Sequence, residues 1–164
     1  MMQRRRFLGT LGALALGTLA VGVLGPAADA FAQAKKPLAI DVYKSPLCGC
    51  CEEWVKHLRA NGFTVTVHDV EDTGEYRKRF GMPERFGSCH TGHIAGYAIE
   101  GHVPAADIRK LLAAKPKAVG LAVPGMPVGS PGMEQGPRKD PFDVLLVKAD
   151  GAASVFSRHN KPAA

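Results

Sequence analysis

The chain lacks a strong excess of one charge: its formal net charge is +6 over 164 residues. Charge this mild and scattered argues against a nucleic-acid partner. No internal repeat divides the chain. No second C-x-x-C accompanies the one at Cys48 and Cys51, so the paired spacing of a structural zinc site is missing. Proline is absent between Pro83 and Pro104. Cysteine is scarce: of four in all, Cys48, Cys50 and Cys51 crowd into "SPLCGCCEEW", and Cys89 stands alone. Such spacing makes a poor structural staple. A Cys48–Cys51 bond closes a tiny loop that constrains little of the unfolded chain, and Cys50–Cys51 would join neighbours across an awkward ring.

Residues 1–34 read as an export signal. Arg4, Arg5 and Arg6 precede an apolar, glycine-broken stretch from Phe7 to Gly25, followed by small-residue cleavage patterns through Ala34. "RRRFL" resembles the twin-arginine motif, with an ordinary secretory signal as the alternative. Cleavage removes the three arginines and Asp29, which leaves a less basic mature chain with no membrane segment. The expected location is the bacterial periplasm, an oxidising compartment.

Residues 35–160 read as one α/β domain. "LAIDVYKS" (38–45) alternates like a strand. From Cys48 the period changes, and Cys51, Trp54, Val55 and Leu58 share one helical face, stopped at Asn61-Gly62. A second strand is expected at 63–70, a short basic helix at 73–81, and loop over 82–93. Residues 93–103 are expected as a bent strand, or a hairpin turning near Glu100-Gly101. A helix from Pro104 to Lys115 buries Ile108, Leu111 and Leu112. A long Gly/Pro loop over 117–141 precedes a C-terminal hairpin that turns at Asp150-Gly151.

A strand running into C-x-x-C at a helix start resembles the thioredoxin fold, in a βαβαβ(β)α order. Free backbone N–H groups and the helix dipole favour a thiolate there. A thiolate serves either disulfide exchange or soft-metal binding. Cys50 is surplus to a dithiol enzyme, and "SCHTGH" adds Cys89, His90 and His93. Redox enzymes of this fold carry a cis-proline before the third strand; here Cys89 to His93 lie near that place.

Three ordered stretches, "YKSPLCGCCEEWVKHLRANGF", "SCHTGHIAGYAIEGHVPAADIRKLL" and "GLAVPGMPVGSPGME", carry a closer likeness. Over residues 38–134 the chain resembles the periplasmic CopG-type copper-resistance proteins, domain-of-unknown-function family 411. The resemblance implies a thioredoxin-like fold, copper handling, and a copper cluster held by Cys48, Cys50, Cys51 and Cys89. The residues agree on the metal, because thiolates and thioethers select Cu(I). Three crowded thiolates bridge several Cu(I) ions more readily than they face one tetrahedral ion.

The candidate metal ligands are therefore Cys48, Cys50, Cys51, Cys89, His93, Met126 and Met133. The last two lie in "PGMPVGSPGM", off any periodic apolar face. His90 is expected to turn away from its neighbour Cys89, His102 to be structural, and His57, His68 and His159 to have no role in the site. The expected function is copper resistance through a multi-cysteine Cu(I) site of more than one ion, with dithiol electrons able to change copper's oxidation state. Two alternatives stand beside it. One is a thiol-disulfide oxidoreductase with Cys48 as catalytic nucleophile and Cys51 as resolving thiol. The other is a copper carrier that docks onto an efflux partner.

Overall fold

The computed structural model describes residues 38–161. The export signal expected at 1–34 lies outside the described residues. In chain order the elements are β1 (Leu38–Lys44), α1 (Gly49–Ala60), β2 (Phe63–Asp69), α2 (Thr73–Arg79), a 3-10 turn (Glu84–Phe86), β3 (His90–Ile94), β4 (Tyr97–Glu100), α3 (Ala105–Ala114), β5 (Gly120–Ala122), β6 (Phe142–Val147) and β7 (Ala153–His159). They build one sheet in the order β2-β1-β3-β4-β5-β6-β7. β1 and β2 run parallel through the α1 crossover, while β3 is antiparallel to both β1 and β4. That arrangement is the thioredoxin-like core expected from the sequence, widened by β5, β6 and β7.

The helix faces follow the apolar spacing. α1 buries Cys51, Trp54, Val55 and Leu58, and α3 buries Ile108 and Leu111. Both pack on the sheet face that carries Ile40, Val42, Ile94, Ile99 and Leu121. The opposite face holds a smaller cluster, with Met82, Phe86, Ala98, Ala122 and Val147. Strand alternation sends Ile99 to the first face and Ala98 to the second. Side chains buried to this degree each contribute roughly 1.5–3 kcal/mol relative to exposure, so α1 is anchored with the cysteine run at its start.

Caps set the ends. α1 stops at Asn61, and Gly62 follows with φ 76°. Asp72 accepts from the Gly74 N–H at 2.7 Å and starts α2. His57, expected to be idle on the helix surface, instead ties two helices together, because its Nε2 accepts the Ala105 N–H of α3 at 3.1 Å. His159 is likewise engaged, bonded to Asp107 Oδ2 at 2.7 Å and stacked on Phe142.

Two expectations are corrected here. The hairpin of β3 and β4 turns at Ala95-Gly96, where φ is 49° and 86°, and not at Glu100-Gly101. Paired positive φ values suit the right-handed twist of adjoining strands, but an alanine gives no turn signal in the sequence. Residues 120–122, expected within the long loop, form β5 beside β4. Gly120 is required there, because a Cβ would collide with the Ala98 carbonyl of β4. The glycine that reads as a loop-former is in fact what lets β5 approach β4. The C-terminal hairpin turns at Asp150-Gly151 as expected, and β6 pairs with β5.

Candidate metal centre

Cys48 occupies the N-cap of α1 without a side-chain cap hydrogen bond. The next three residues, Gly49, Cys50 and Cys51, therefore begin a helix whose first N–H groups have no intrahelical acceptor. The segment is held by Lys44 at the end of β1. Its buried ammonium pairs with Glu52 at 2.6 Å, in the first turn of α1, and with Asp69 at 2.8 Å, at the end of β2. Burial alone would weaken that charge, but hydrogen bonds to Asp69 and Glu52 outweigh it and raise the lysine's pKa.

Cys48 and Cys51 are joined as a disulfide, and Cys50 and Cys89 are free thiols. Cys51 is buried, while Cys48 is partly open to solvent. Cys50 Sγ lies 3.6 Å from Cys48 Sγ and 3.9 Å from Cys89 Sγ. Cys51 Sγ lies 3.8 Å from the Cys89 carbonyl. All four sulfur atoms fall within 4.8 Å of one another. Cys89 thus takes the position opposite the dithiol, directly before β3, as the missing proline led us to expect.

A buried polar frame sets Cys89 in place. The Glu100 carboxylate of β4 accepts from the Ser88 N–H at 2.7 Å, the Thr91 hydroxyl at 2.7 Å and Arg77 Nε at 2.9 Å. Arg77 also donates to the Ser88 carbonyl at 2.8 Å and to Glu84 at 2.7 Å. Both sides of Ser88 are gripped, so Cys89 has little freedom. Burial pushes Glu100 above the usual carboxylate range, against the pull of its donors.

The histidines differ from expectation. His93 is not brought to the thiols; its ring stacks on Phe80 of the α2 side at 4.3 Å. Alternate residues of β3 face opposite sides of the sheet, so His90 and His93 diverge. His90 turns toward the cysteines: its Nδ1 is 3.5 Å from Cys89 Sγ, and its ring lies 4.3 Å from that of Trp54. Trp54 is fixed by donating to the Val103 carbonyl at 2.9 Å. His102, read as structural, places Nε2 3.3 Å from the same sulfur. Cys89, His90 and His102 form a second group of close ligand atoms. The hairpin that returns β4 beside β3 creates this approach, and linear spacing carries no sign of it.

The long loop borders the site. Ser88 Oγ donates to the Gly125 carbonyl at 2.6 Å, and His102 Nδ1 donates to the Pro131 carbonyl at 2.8 Å. Gly132 sits against α1, where a Cβ would come within 2.6 Å of Trp54 N and 2.9 Å of the Cys50 carbonyl oxygen. Met126, next to Gly125, is exposed, and Met133, next to Gly132, is half-buried.

Burial, followed by Cys50 nearby, pushes the Cys89 thiol up to about 12. Cys89, which lies before β3 and not at a helix start, is therefore a protonated thiol at neutral pH. Burial, then His102, lowers His90 from 6.5 to about 3; burial also lowers His102. Both rings are neutral at pH 7. Between pH 6.5 and about 3 the unfolded chain takes up a proton that folded His90 refuses. Stability of the apo protein should thus fall as pH drops through that window, by on the order of 1 kcal/mol per pH unit. Urea unfolding at pH 7 and pH 5 measures it, and His90→Gln should flatten the slope.

A thioredoxin-like core that presents the Cys48–Cys51 disulfide at the start of α1, with the free thiols of Cys50 and Cys89 beside it, defines a cysteine-rich member of that fold class. Residues 86–133 match the family described as "Protein of unknown function, DUF411". Two solved structures, titled copper resistance protein CopG, form 2 and form 1, share 54% sequence identity with the chain and superpose with a TM-score of 0.72. Each match covers 76% of this chain, and 99% and 98% of the respective structures. No curated protein matches. The chain belongs to the CopG-type copper-resistance family.

Proposed function

We propose that this protein serves copper resistance by binding more than one Cu(I) through Cys48, Cys50, Cys51 and Cys89. The observation that carries the reading is the convergence of four sulfurs, from two separate chain segments, within 4.8 Å. Thiolates are soft ligands suited to Cu(I), and a compact set can share sulfur between ions. The titles of the two related structures point to the same metal. Cys48 and Cys51 also supply electrons: as two thiolates close to a disulfide, two electrons reduce two Cu(II) to two Cu(I). The reaction takes place in the periplasm, after export directed by residues 1–34, and it calls for a thiol reductant and a copper-accepting partner.

The oxidoreductase reading has one observation of its own. Cys48 is the partly open member of the disulfide and Cys51 the buried one, the asymmetry of an attacked and a resolving sulfur. An anaerobic Cu(I) titration run beside an insulin-reduction assay separates the two. Tight Cu(I) binding with negligible insulin turnover supports the copper role. Efficient turnover with weak copper binding assigns the protein to thiol exchange.

The loop over 124–133 offers Met126 and Met133 to incoming copper. Gly125 and Gly132 tie it to both walls of the thiol site, and a thioether needs no deprotonation to bind Cu(I). The double change Met126→Leu with Met133→Leu keeps volume and removes sulfur. It should slow copper loading several-fold, or speed loss to a chelator, without lowering apo thermal stability. Equal transfer rates would leave the methionines without a copper role.

A further inference from the structure

The sheet carries a second set of metal-binding side chains, on the face that α2 covers. Alternate residues of a strand face opposite sides. Ile40 and Val42 of β1 therefore enter the main core, while Asp41 and Tyr43 face the side of α2, where Tyr43 stacks on Tyr76 at 4.0 Å. Asp41 is the centre of this set. His93 of β3 stands directly opposite Asp41 in the antiparallel ladder, and side chains so paired share one face with Cβ atoms about 5 Å apart. From the other flank, His68 of β2 brings Nε2 to 2.8 Å from Asp41 Oδ1. Two imidazoles, from the two neighbouring strands, thus flank one carboxylate. Each ring is propped by an aromatic neighbour. Tyr43 lies flat on His68 with ring centres 4.6 Å apart, and Phe80 lies flat on His93 at 4.3 Å. Such face contacts set the plane of each imidazole and leave its edge, which carries the nitrogens, free of the stack. Asp41, His68 and His93 are all half-buried and open to an ion from solvent.

We infer that Asp41, His68 and His93 form a surface site for a divalent transition-metal ion, with Cu(II) as the ion it holds most strongly. Metal–ligand bonds of about 2.0 Å at right angles place neighbouring ligand atoms about 2.8 Å apart, and the Asp41–His68 pair already has that separation. His93 completes the set from across the ladder by a small slide of its ring along Phe80. Imidazole and carboxylate donors suit Cu(II), which leads the first-row divalent ions in affinity for them. Binding is a ligand exchange: two imidazole nitrogens and one carboxylate oxygen displace water from the ion, and no electron moves. His68 Nε2 gives up the proton it shares with Asp41, to Nδ1 in a neutral ring and to solvent in a charged one. The set contains no sulfur, so an ion held there stays divalent. The inference gives His93 a metal role apart from the cysteines, and it does not depend on the thiol site.

The test uses the full chain carrying Cys50→Ser and Cys89→Ser. Its remaining cysteines are the Cys48–Cys51 disulfide, so no thiol is present to reduce Cu(II). Cupric sulfate is titrated in a non-coordinating buffer at neutral pH, and binding is followed by calorimetry and electron paramagnetic resonance. The expected result is one Cu(II) per chain, coupled to two nitrogens. Adding His68→Gln or His93→Gln should weaken that ion at least about 10-fold and reduce the coupling to one nitrogen, while His159→Gln leaves both readings unchanged. Paramagnetic broadening of imidazole proton NMR signals by substoichiometric Cu(II) tests the same assignment with every site residue in place, so poor folding of a histidine variant does not decide the matter. The His68 and His93 signals should broaden first. Failure to bind Cu(II), unchanged affinity in both histidine variants, or broadening confined to other histidines overturns the inference. None of these results bears on Cu(I) binding by the four cysteines, because the protein tested lacks two of them.

Discussion

Cys89→Ser should lower Cu(I) affinity roughly 100-fold or more, because loss of an outer-shell partner alone costs about 10–100-fold and this change removes a ligand. Cys89 is the one sulfur that comes from outside the cysteine run, and it is the atom shared by both ligand groups. A serine hydroxyl is a hard, neutral ligand that suits Cu(I) poorly. The Cys48–Cys51 disulfide lies entirely within the first segment and should form as before. Chelator competition under anaerobic conditions measures the affinity, and thiol counting verifies the disulfide. Unchanged affinity and stoichiometry would remove Cys89 from the site.

Glu100→Ala should cost about 3–5 kcal/mol of stability, the range for breaking a buried pair by removing one partner. Glu100 is fully buried and accepts three hydrogen bonds, from Ser88, Thr91 and Arg77. The variant leaves a buried Thr91 hydroxyl and the Ser88 N–H without their acceptor. Among the described residues Arg77 keeps only Glu84, whose side chain is exposed, as a charged partner. The same change frees Ser88 and loosens Cys89, so copper affinity should fall together with stability. Denaturant unfolding measures the first effect and chelator competition the second. A loss of stability with untouched affinity would show that the frame supports the fold without positioning the thiol.

Local order was legible wherever periodicity and caps agree. The buried stripe Cys51, Trp54, Val55 and Leu58 fixed α1 and its start at the cysteine run. The absent proline before β3 pointed to Cys89 as the residue opposite the dithiol. The errors arose where neighbours in space are distant in sequence, or where one residue type serves an unusual purpose. Reading 82–93 as loop hid the strand parity that separates His90 from His93, since β3 begins at His90. His102 gave no signal because its approach to Cys89 depends on the hairpin register, in which Thr91 faces Glu100. Ala95 conceals a turn, and Gly120 conceals a strand. The glutamate at 100 looked like turn material because its partners, Arg77, Ser88 and Thr91, lie on other parts of the chain.

The central claim is that four clustered sulfurs hold a multi-ion Cu(I) site, and the copper-to-protein ratio tests it most directly. Fully reduced protein is loaded anaerobically with excess Cu(I), desalted, and assayed for copper and for protein by mass. The expected result is more than one Cu(I) per chain, falling to one or below when the thiols are alkylated before loading. A ratio of one or less in the unmodified protein, with tight zinc binding in its place, would contradict it.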